Sequence, residues 1–264
     1  CLVGSEMCIR DRYIEHVIEL LHAIANEQDV YVQQASDLLV ETIKQQHSIF
    51  IFGASHAGIL AQEMFYRTGG LVVVNPILPR EVMLDVRPII QTSQMERLAG
   101  YGKILADNSK MKAHDVLIIH SVSGRNTIAI DMALEAKKKG IAVIAITNVT
   151  YSKQVKSRHA CGKNLYQIAD IVIDNCGDFE DSCMLMDGMK QKVAPTSTIT
   201  GAAIINSLVI QVVEKLLKQQ IEPPIFHSAN VDGGDAFNKA LIEKYKDQIF
   251  YLSLIHISEP TRHA

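Results

Sequence analysis

The sequence predicts a three-layer α/β/α sandwich built on a five-stranded parallel sheet, with a pair of helices ahead of it. Five short, continuous apolar runs carry the sheet: Ile49-Phe50-Ile51-Phe52, Leu71-Val72-Val73-Val74, Val116-Leu117-Ile118-Ile119, residues 141–146 and Ile171-Val172-Ile173. Strands buried on both faces, as in a parallel sheet, read this way. Helical segments lie between them at 58–67, 94–106 and 126–139, with glycine at 69–70 and 140 as left-handed exits. Strands alternating with helices of this length imply right-handed crossovers that cover both sheet faces.

The helical pair comes first. Ile14, Val17, Ile18, Leu21 and Ile24 recur at helical spacing, and Val32, Ala35, Leu38, Leu39 and Ile43 repeat the pattern after a short break. Beyond the fifth run, Met184-Leu185-Met186 and Lys190-Gln191-Lys192-Val193 flank Asp187-Gly188, which reads as a hairpin turn. A long helix follows at 202–219, with Ile205, Leu208, Val209, Val212 and Leu216 on one side, closed by Pro223-Pro224. A polar loop over 227–235 leads into a last helix at 236–245. With no repeat, low-complexity tract or clear linker, 13–250 reads as a single domain.

The two ends read as foreign to it. Residues 2–11 can be written in codons whose reverse complement, one base out of frame, spells 253–262, and the pair resembles translated sequencing-adapter DNA. Residues 1–12 and 252–264 are therefore expected to be non-native tails. Setting them aside leaves the net charge at −3, because equal numbers of acidic and basic residues go with them. A mildly acidic chain with no basic run argues against nucleic acid or an anionic membrane as partner. Cys161, Cys176 and Cys183 have no CxxC spacing, so reduced cytoplasmic thiols are expected, with no disulfide framework, zinc site or cofactor. No apolar run approaches the ~18–20 residues a bilayer crossing needs.

Ligands of open α/β sheets bind beyond the carboxyl ends of the strands. The third strand runs into His120-Ser121-Val122-Ser123-Gly124-Arg125-Asn126-Thr127 and then directly into a helix. Hydroxyls, a permissive glycine, free N–H groups at a helix N-terminus and the Arg125 cation suit a phosphate dianion, whereas an ordinary cap needs one hydroxyl. The first strand ends in Gly53-Ala54-Ser55-His56-Ala57-Gly58, which is neither a Walker loop nor GxGxxG. Ser55 and His56 are ligand-contact candidates there, with a solvent-facing histidine as the alternative. Pro195-Thr196-Ser197-Thr198-Ile199-Thr200-Gly201 opens the long helix, and its hydroxyls either face the same ligand or pack beneath the cradle.

Gly-x-Ser after the first strand, Ser-x-Ser-Gly after the third and Pro-Thr-Ser-Thr before a late helix together resemble the sugar isomerase (SIS) domain. Arg-Thr-Gly-Gly at 67–70 and Ser-Ala-Asn-Val-Asp-Gly-Gly-Asp at 228–235 resemble the UPF0309 group of that family. The resemblance implies a flavodoxin-like strand order, a phosphorylated-sugar ligand and commonly a homodimer with sites near the subunit interface. Asn126 departs from the family, which often has Ser or Thr there; an amide can still donate to phosphate.

Aldose–ketose isomerisation needs a general base near C1 and C2 and a group that stabilises the enediolate oxygen. Glu63 is the first candidate, seven residues past His56 and about 10 Å along the same helix face. It matches the glutamate used as base in phosphoheptose isomerases; the alternative is a solvated glutamate paired with Arg67 at i+4. His56, His120 and His227 are the histidine candidates. His227 sits with Ser228, Asn230, Asp232 and Asp235 in a loop more polar than a connector needs, although 232–235 also reads as a turn and helix cap. His227 with two aspartates is not a diagnostic metal spacing. His159 and Glu96 have no supporting context. The leading function is a phosphosugar isomerase. A lyase or etherase using the same base, and a non-catalytic phosphosugar sensor, are the alternatives.

Overall fold

The computed structural model describes residues 8–252. The N-terminal pair forms α1 (Ile9–Glu27) and α2 (Asp29–Lys44), so the first residues of α1 belong to the stretch read as foreign; most of both tails lies outside the described residues. Gln28 joins the two helices and is buried, its side-chain oxygen accepting from the Asp174 N–H at 3.0 Å. Then come β1 (Ile49–Gly53), α3 (Gly58–Met64), β2 (Val74–Ile77), α4 (Ile90–Arg97), α5 (Tyr101–Asn108), β3 (Val116–His120) and α6 (Thr127–Lys138). β4 (Ala142–Thr147), α7 (Val149–Gln154), β5 (Ile171–Asp174), α8 (Ser197–Lys218) and α9 (Gly234–Lys244) complete the chain.

All strand pairs are parallel and the order is β2-β1-β3-β4-β5, the doubly wound arrangement expected from the sequence. Alternation along the strands divides the core. Ile49, Ile51, Val116, Ile118, Ile144 and Ile146 pack with α2, α3 and α8, while Phe50, Phe52, Leu117, Ile119, Val143 and Ala145 pack with α5 and α6. α8 is long and apolar enough to cross a bilayer by length and composition, although polar residues interrupt its apolar stretch. Here it is a core helix, with Ile204, Leu208 and Val212 fully buried.

Several boundaries differ from those expected, each for a local reason. The second apolar run is not the strand: Leu71 bridges antiparallel to Ile225, and the Val72 N–H donates to Pro224 at 2.8 Å. The strand begins at Val74 and takes the sheet edge, where Pro76, lacking an N–H, is tolerated. The single helix expected at 94–106 is two, broken at Gly100 (φ 80°), whose N–H donates to Asp131 Oδ2 at 2.8 Å. α3 stops at Met64, and α8 starts at Ser197, so the hydroxyl cluster forms its first turn. α7 was not anticipated; Asn148 caps it by accepting from the Tyr151 N–H at 2.7 Å. The turn at Asp187-Gly188 has Gly188 at φ 81° and closes one antiparallel bridge, Met184 to Val193.

Gly102 fixes how closely α5 approaches α6. A Cβ there would lie 2.2 Å from the Ile128 carbonyl oxygen and 2.7 Å from Asp131 Cβ, and backbone cannot yield as a flexible side chain can. Gly102→Ala is expected to lower the unfolding free energy by about 1–3 kcal/mol, read as a reduced urea midpoint. An unchanged midpoint would mean that the two helices part without cost.

Candidate functional site

The loops after β1 and β3 leave the sheet side by side, Gly53 being paired with His120. After Gly53 the chain folds back so tightly that a Cβ would stand 2.3 Å from the Ala57 carbonyl oxygen. Ser55 takes a left-handed backbone (φ 57°), and His56 is exposed at the mouth of α3. His120 bridges the two loops through Nδ1 and the Ala57 carbonyl, 3.1 Å apart. A carbonyl only accepts, so Nδ1 carries the proton and Nε2 is a buried lone pair with no partner among the described residues. Burial pushes the imidazole below its usual range and keeps it neutral.

The 121–127 loop is braced from β4. Thr147 Oγ1 lies 2.7 Å from the Ser121 carbonyl and 3.0 Å from that of Val122, and the Ser121 N–H donates to Ile146 at 3.1 Å. Gly124 (φ 59°) is buried, its carbonyl accepting from the Leu165 N–H at 2.8 Å. Asn126 takes the N-cap position of α6 in extended conformation, yet its side chain caps nothing. Instead Nδ2 donates to Glu96 Oε2 at 2.6 Å and Oδ1 accepts from Arg158 at 2.7 Å. Thr127 Oγ1 donates to the Glu96 carbonyl at 3.0 Å. Among the described residues no side chain accepts from the first N–H groups of α6, which leaves them as anion donors.

Three residues from outside the expected set, Arg97, Arg158 and Glu96, change the charge here. Arg158 stands close enough to Arg125 and Arg97 that, after burial, their positive charge pushes its guanidinium below the usual range. Arg158 thus reaches the loop through Asn126, with Arg125 and Arg97 close enough for their charges to act on it. Against them stands one carboxylate, Glu96, which also accepts a hydrogen bond from Ser55. Burial raises its carboxyl above the usual range, more than the contacts with Ser55, Asn126, Arg97 and Arg158 lower it. No motif spacing marks Glu96, Arg97 or Arg158, because each comes from a segment remote in sequence from the loop.

The hydroxyls at the start of α8 are arranged differently. Asp181 accepts from the Thr196 and Ser197 N–H groups at 3.3 and 2.9 Å and from Ser197 Oγ at 2.6 Å. Thr196 and Ser197 are buried, and Thr198 is exposed. Glu63 is in an ion pair with Arg67, and Asn206 Nδ2 donates to it at 3.3 Å. His227 packs on Phe237 with ring centroids 4.0 Å apart, and it lines a cleft of about 110 Å3 with Tyr66, Arg67 and Asn238. Glu63 and His227 thus gather around Arg67, and among the described residues neither side chain bonds to the 121–127 loop. At 232–235 the chain makes the turn and helix entry, with Gly233 (φ 82°) as the N-cap of α9.

This sheet order, with a braced Ser-rich loop feeding α6, is the arrangement of an SIS domain. The family model of that name matches residues 12–148, and the chain belongs to the SIS domain family. Its relatives are UPF0309 proteins: that of Shouchella clausii is 50% identical over 242 residues, covering 92% of this chain and 98% of the relative. That of Oceanobacillus iheyensis is 48% identical over 246 residues, covering 93% and 100%. A phosphoheptose isomerase from Francisella tularensis superposes with a TM-score of 0.52 at 15% identity, over 79% of this chain and 100% of that one. Phosphoheptose isomerase GmhA from Neisseria gonorrhoeae gives 0.50 at 16%, over 78% and 100%. At these identities the likeness is one of fold.

The raised Glu96 carboxyl has a pH signature. The fold binds its proton more tightly than the unfolded chain does, so its contribution to stability is full below about pH 4.3, the ordinary carboxylate value, and is lost as pH rises through the higher folded value. Glu96→Gln removes this dependence. The stability of the variant relative to the parent should therefore climb as pH rises above about 4.3, measured by urea unfolding. A difference that stays flat or falls as pH rises from there would show that Glu96 is not held as described.

Proposed function

We propose that the chain binds a phosphorylated sugar at the 121–127 loop and isomerises it between aldose and ketose forms. The observation that carries this reading is the mutual proximity of Arg97, Arg125 and Arg158 beside a loop whose helix N–H donors no side chain claims among the described residues, with Glu96 as the opposing carboxylate. A site with that excess of positive charge suits a dianion. Ser121, Ser123, Gly124, Asn126 and Thr127 supply the remaining groups of the cradle, and Ser55 reaches it from the β1 loop. The fold shared with two phosphoheptose isomerases supports the same class of ligand.

Within one subunit Glu96 is the carboxylate we assign to move the proton, because it is bonded to Asn126 of the loop and to Ser55. A partly buried carboxyl with a raised pKa is a better proton carrier than a free one, taking a proton from one carbon and returning it to the next. Glu63 and His227, grouped around Arg67, would act on a loop carried to them by a second copy. A homodimer is supported by exposed Ile14 and Ile18 on α1 and Ile210 and Leu217 on α8, two helices that pack together. Free thiols at Cys161, Cys176 and Cys183 support a reducing, cytoplasmic setting.

A thermal-shift panel of sugar phosphates against unphosphorylated sugars tests the binding. Only the phosphorylated set should raise Tm, and equal shifts from both would sink the phosphate site. Arg125→Ala should weaken the phosphorylated ligand by about 10- to 100-fold, the value of a hydrogen bond to a charged group. On the sugar that shifts Tm most, Glu96→Gln should keep binding and lower kcat by at least about 100-fold. If Glu63→Gln does so instead, the base comes from the Arg67 cluster. Release of a second product molecule would mark elimination, and binding without turnover would mark a sensor.

A further inference from the structure

On the far side of the α8 entrance, three side chains from distant segments meet. His16 lies on α1, Asp178 just beyond β5, and Cys183 at the start of the one-bridge hairpin; their ligating atoms all fall within 4.8 Å of one another, and all three are partly buried. His16 Nε2 is 2.6 Å from Asp178 Oδ2, while Nδ1 faces Glu19 at 3.7 Å. A ring with one nitrogen toward a pocket of donors and a carboxylate behind the other is how metal-binding histidines are held. The other two ligands are pinned through their backbone. Asn148 Nδ2 donates to the Asp178 carbonyl at 3.1 Å, and the Cys183 N–H donates to Val193 at 3.1 Å.

We propose that His16, Asp178 and Cys183 form a three-ligand site for a zinc-class divalent cation, with its fourth position open to water. Imidazole, carboxylate and thiolate are the donor types zinc takes, and one thiolate with one carboxylate balances the 2+ charge. Binding replaces the His16–Asp178 hydrogen bond by two bonds to the metal. It also releases the thiol proton of Cys183, whose sulfur sits 3.2 Å from the Ala194 carbonyl in the metal-free arrangement. Lys192 stands 3.8 Å from the other Asp178 oxygen, on a half-exposed stem that can swing to solvent. A metal here would clamp α1 to the segment that carries Asp181, and Asp181 holds the first turn of α8. The site is independent of the phosphosugar reading, and its test uses no sugar.

Chelator-treated full-length protein is titrated with Co2+ alone. One equivalent should produce a thiolate-to-cobalt charge-transfer band in the near ultraviolet, and Zn2+ should displace it. Cys183→Ser should abolish the band, and His16→Ala should weaken Co2+ by about tenfold or more. Should Cys183→Ser fail to fold, a variant with Cys1, Cys8, Cys161 and Cys176 all replaced by serine isolates the remaining thiol and must keep the band. Absence of the band in the parent, its survival in folded Cys183→Ser, or its loss when Cys183 is the last cysteine overturns the assignment.

Discussion

Gly53 and His120 face each other at the ends of β1 and β3, and that pairing governs what the two strands can deliver. Sheet order reverses at this point, since β1 leads outward to β2 while β3 leads the other way to β4. The loops therefore diverge and leave a crevice between them. The close return of the chain at Gly53 brings the Ala57 carbonyl within reach of His120, and one hydrogen bond then sets the tautomer of a fully enclosed imidazole. Ser55 and the 121–127 loop are held at fixed separation by the same contact.

Around that frame the charges are arranged at a cost. Three guanidinium groups near one loop repel each other, and a half-enclosed Glu96 carboxylate is disfavoured by its burial. Neither condition helps the empty fold. The first is relieved by an anion that compensates the arginines, and the second is met by protonation of Glu96, so on the proposed reading the ligand stabilises the folded state more than its own contacts alone would. Asn126 is the coupling element, because one amide donates to Glu96 and accepts from Arg158. Serine or threonine at that position would have to donate and accept from one oxygen, where the amide uses two separate atoms.

Much of this architecture was legible in the sequence, and what was not follows from tertiary contacts. Buried parallel strands are apolar on both faces, so β1, β3, β4 and β5 stood out, as did the loop that follows β3. The run at 71–74 misled because enclosure by residues 224–226 gives the same apolar signature as a sheet. The break at Gly100 depends on Asp131, thirty-one positions away, accepting its N–H. Arg158 and Glu96 carried no signal for the same reason: each earns its place through a partner on another element. Glu63 showed the opposite behaviour, its i+4 neighbour Arg67 being visible in the sequence and engaged in the structure.

Two helix N-termini open near the candidate site, and their different treatment bears on where an anion would go. At α8 the anion is already present, for Asp181 occupies the Thr196 and Ser197 donors and the Ser197 hydroxyl. Holding it there requires left-handed backbone at both Glu180 and Asp181, a conformation that is costly for side chains other than glycine and that persists only where the surroundings fix it. A phosphate competing for α8 would have to expel that carboxylate and dismantle the turn. At α6 nothing has to be displaced, and three cations stand by. On the proposed reading the phosphate therefore goes to α6, while Asp181 stays engaged by the first N–H groups of α8 and the Ser197 hydroxyl.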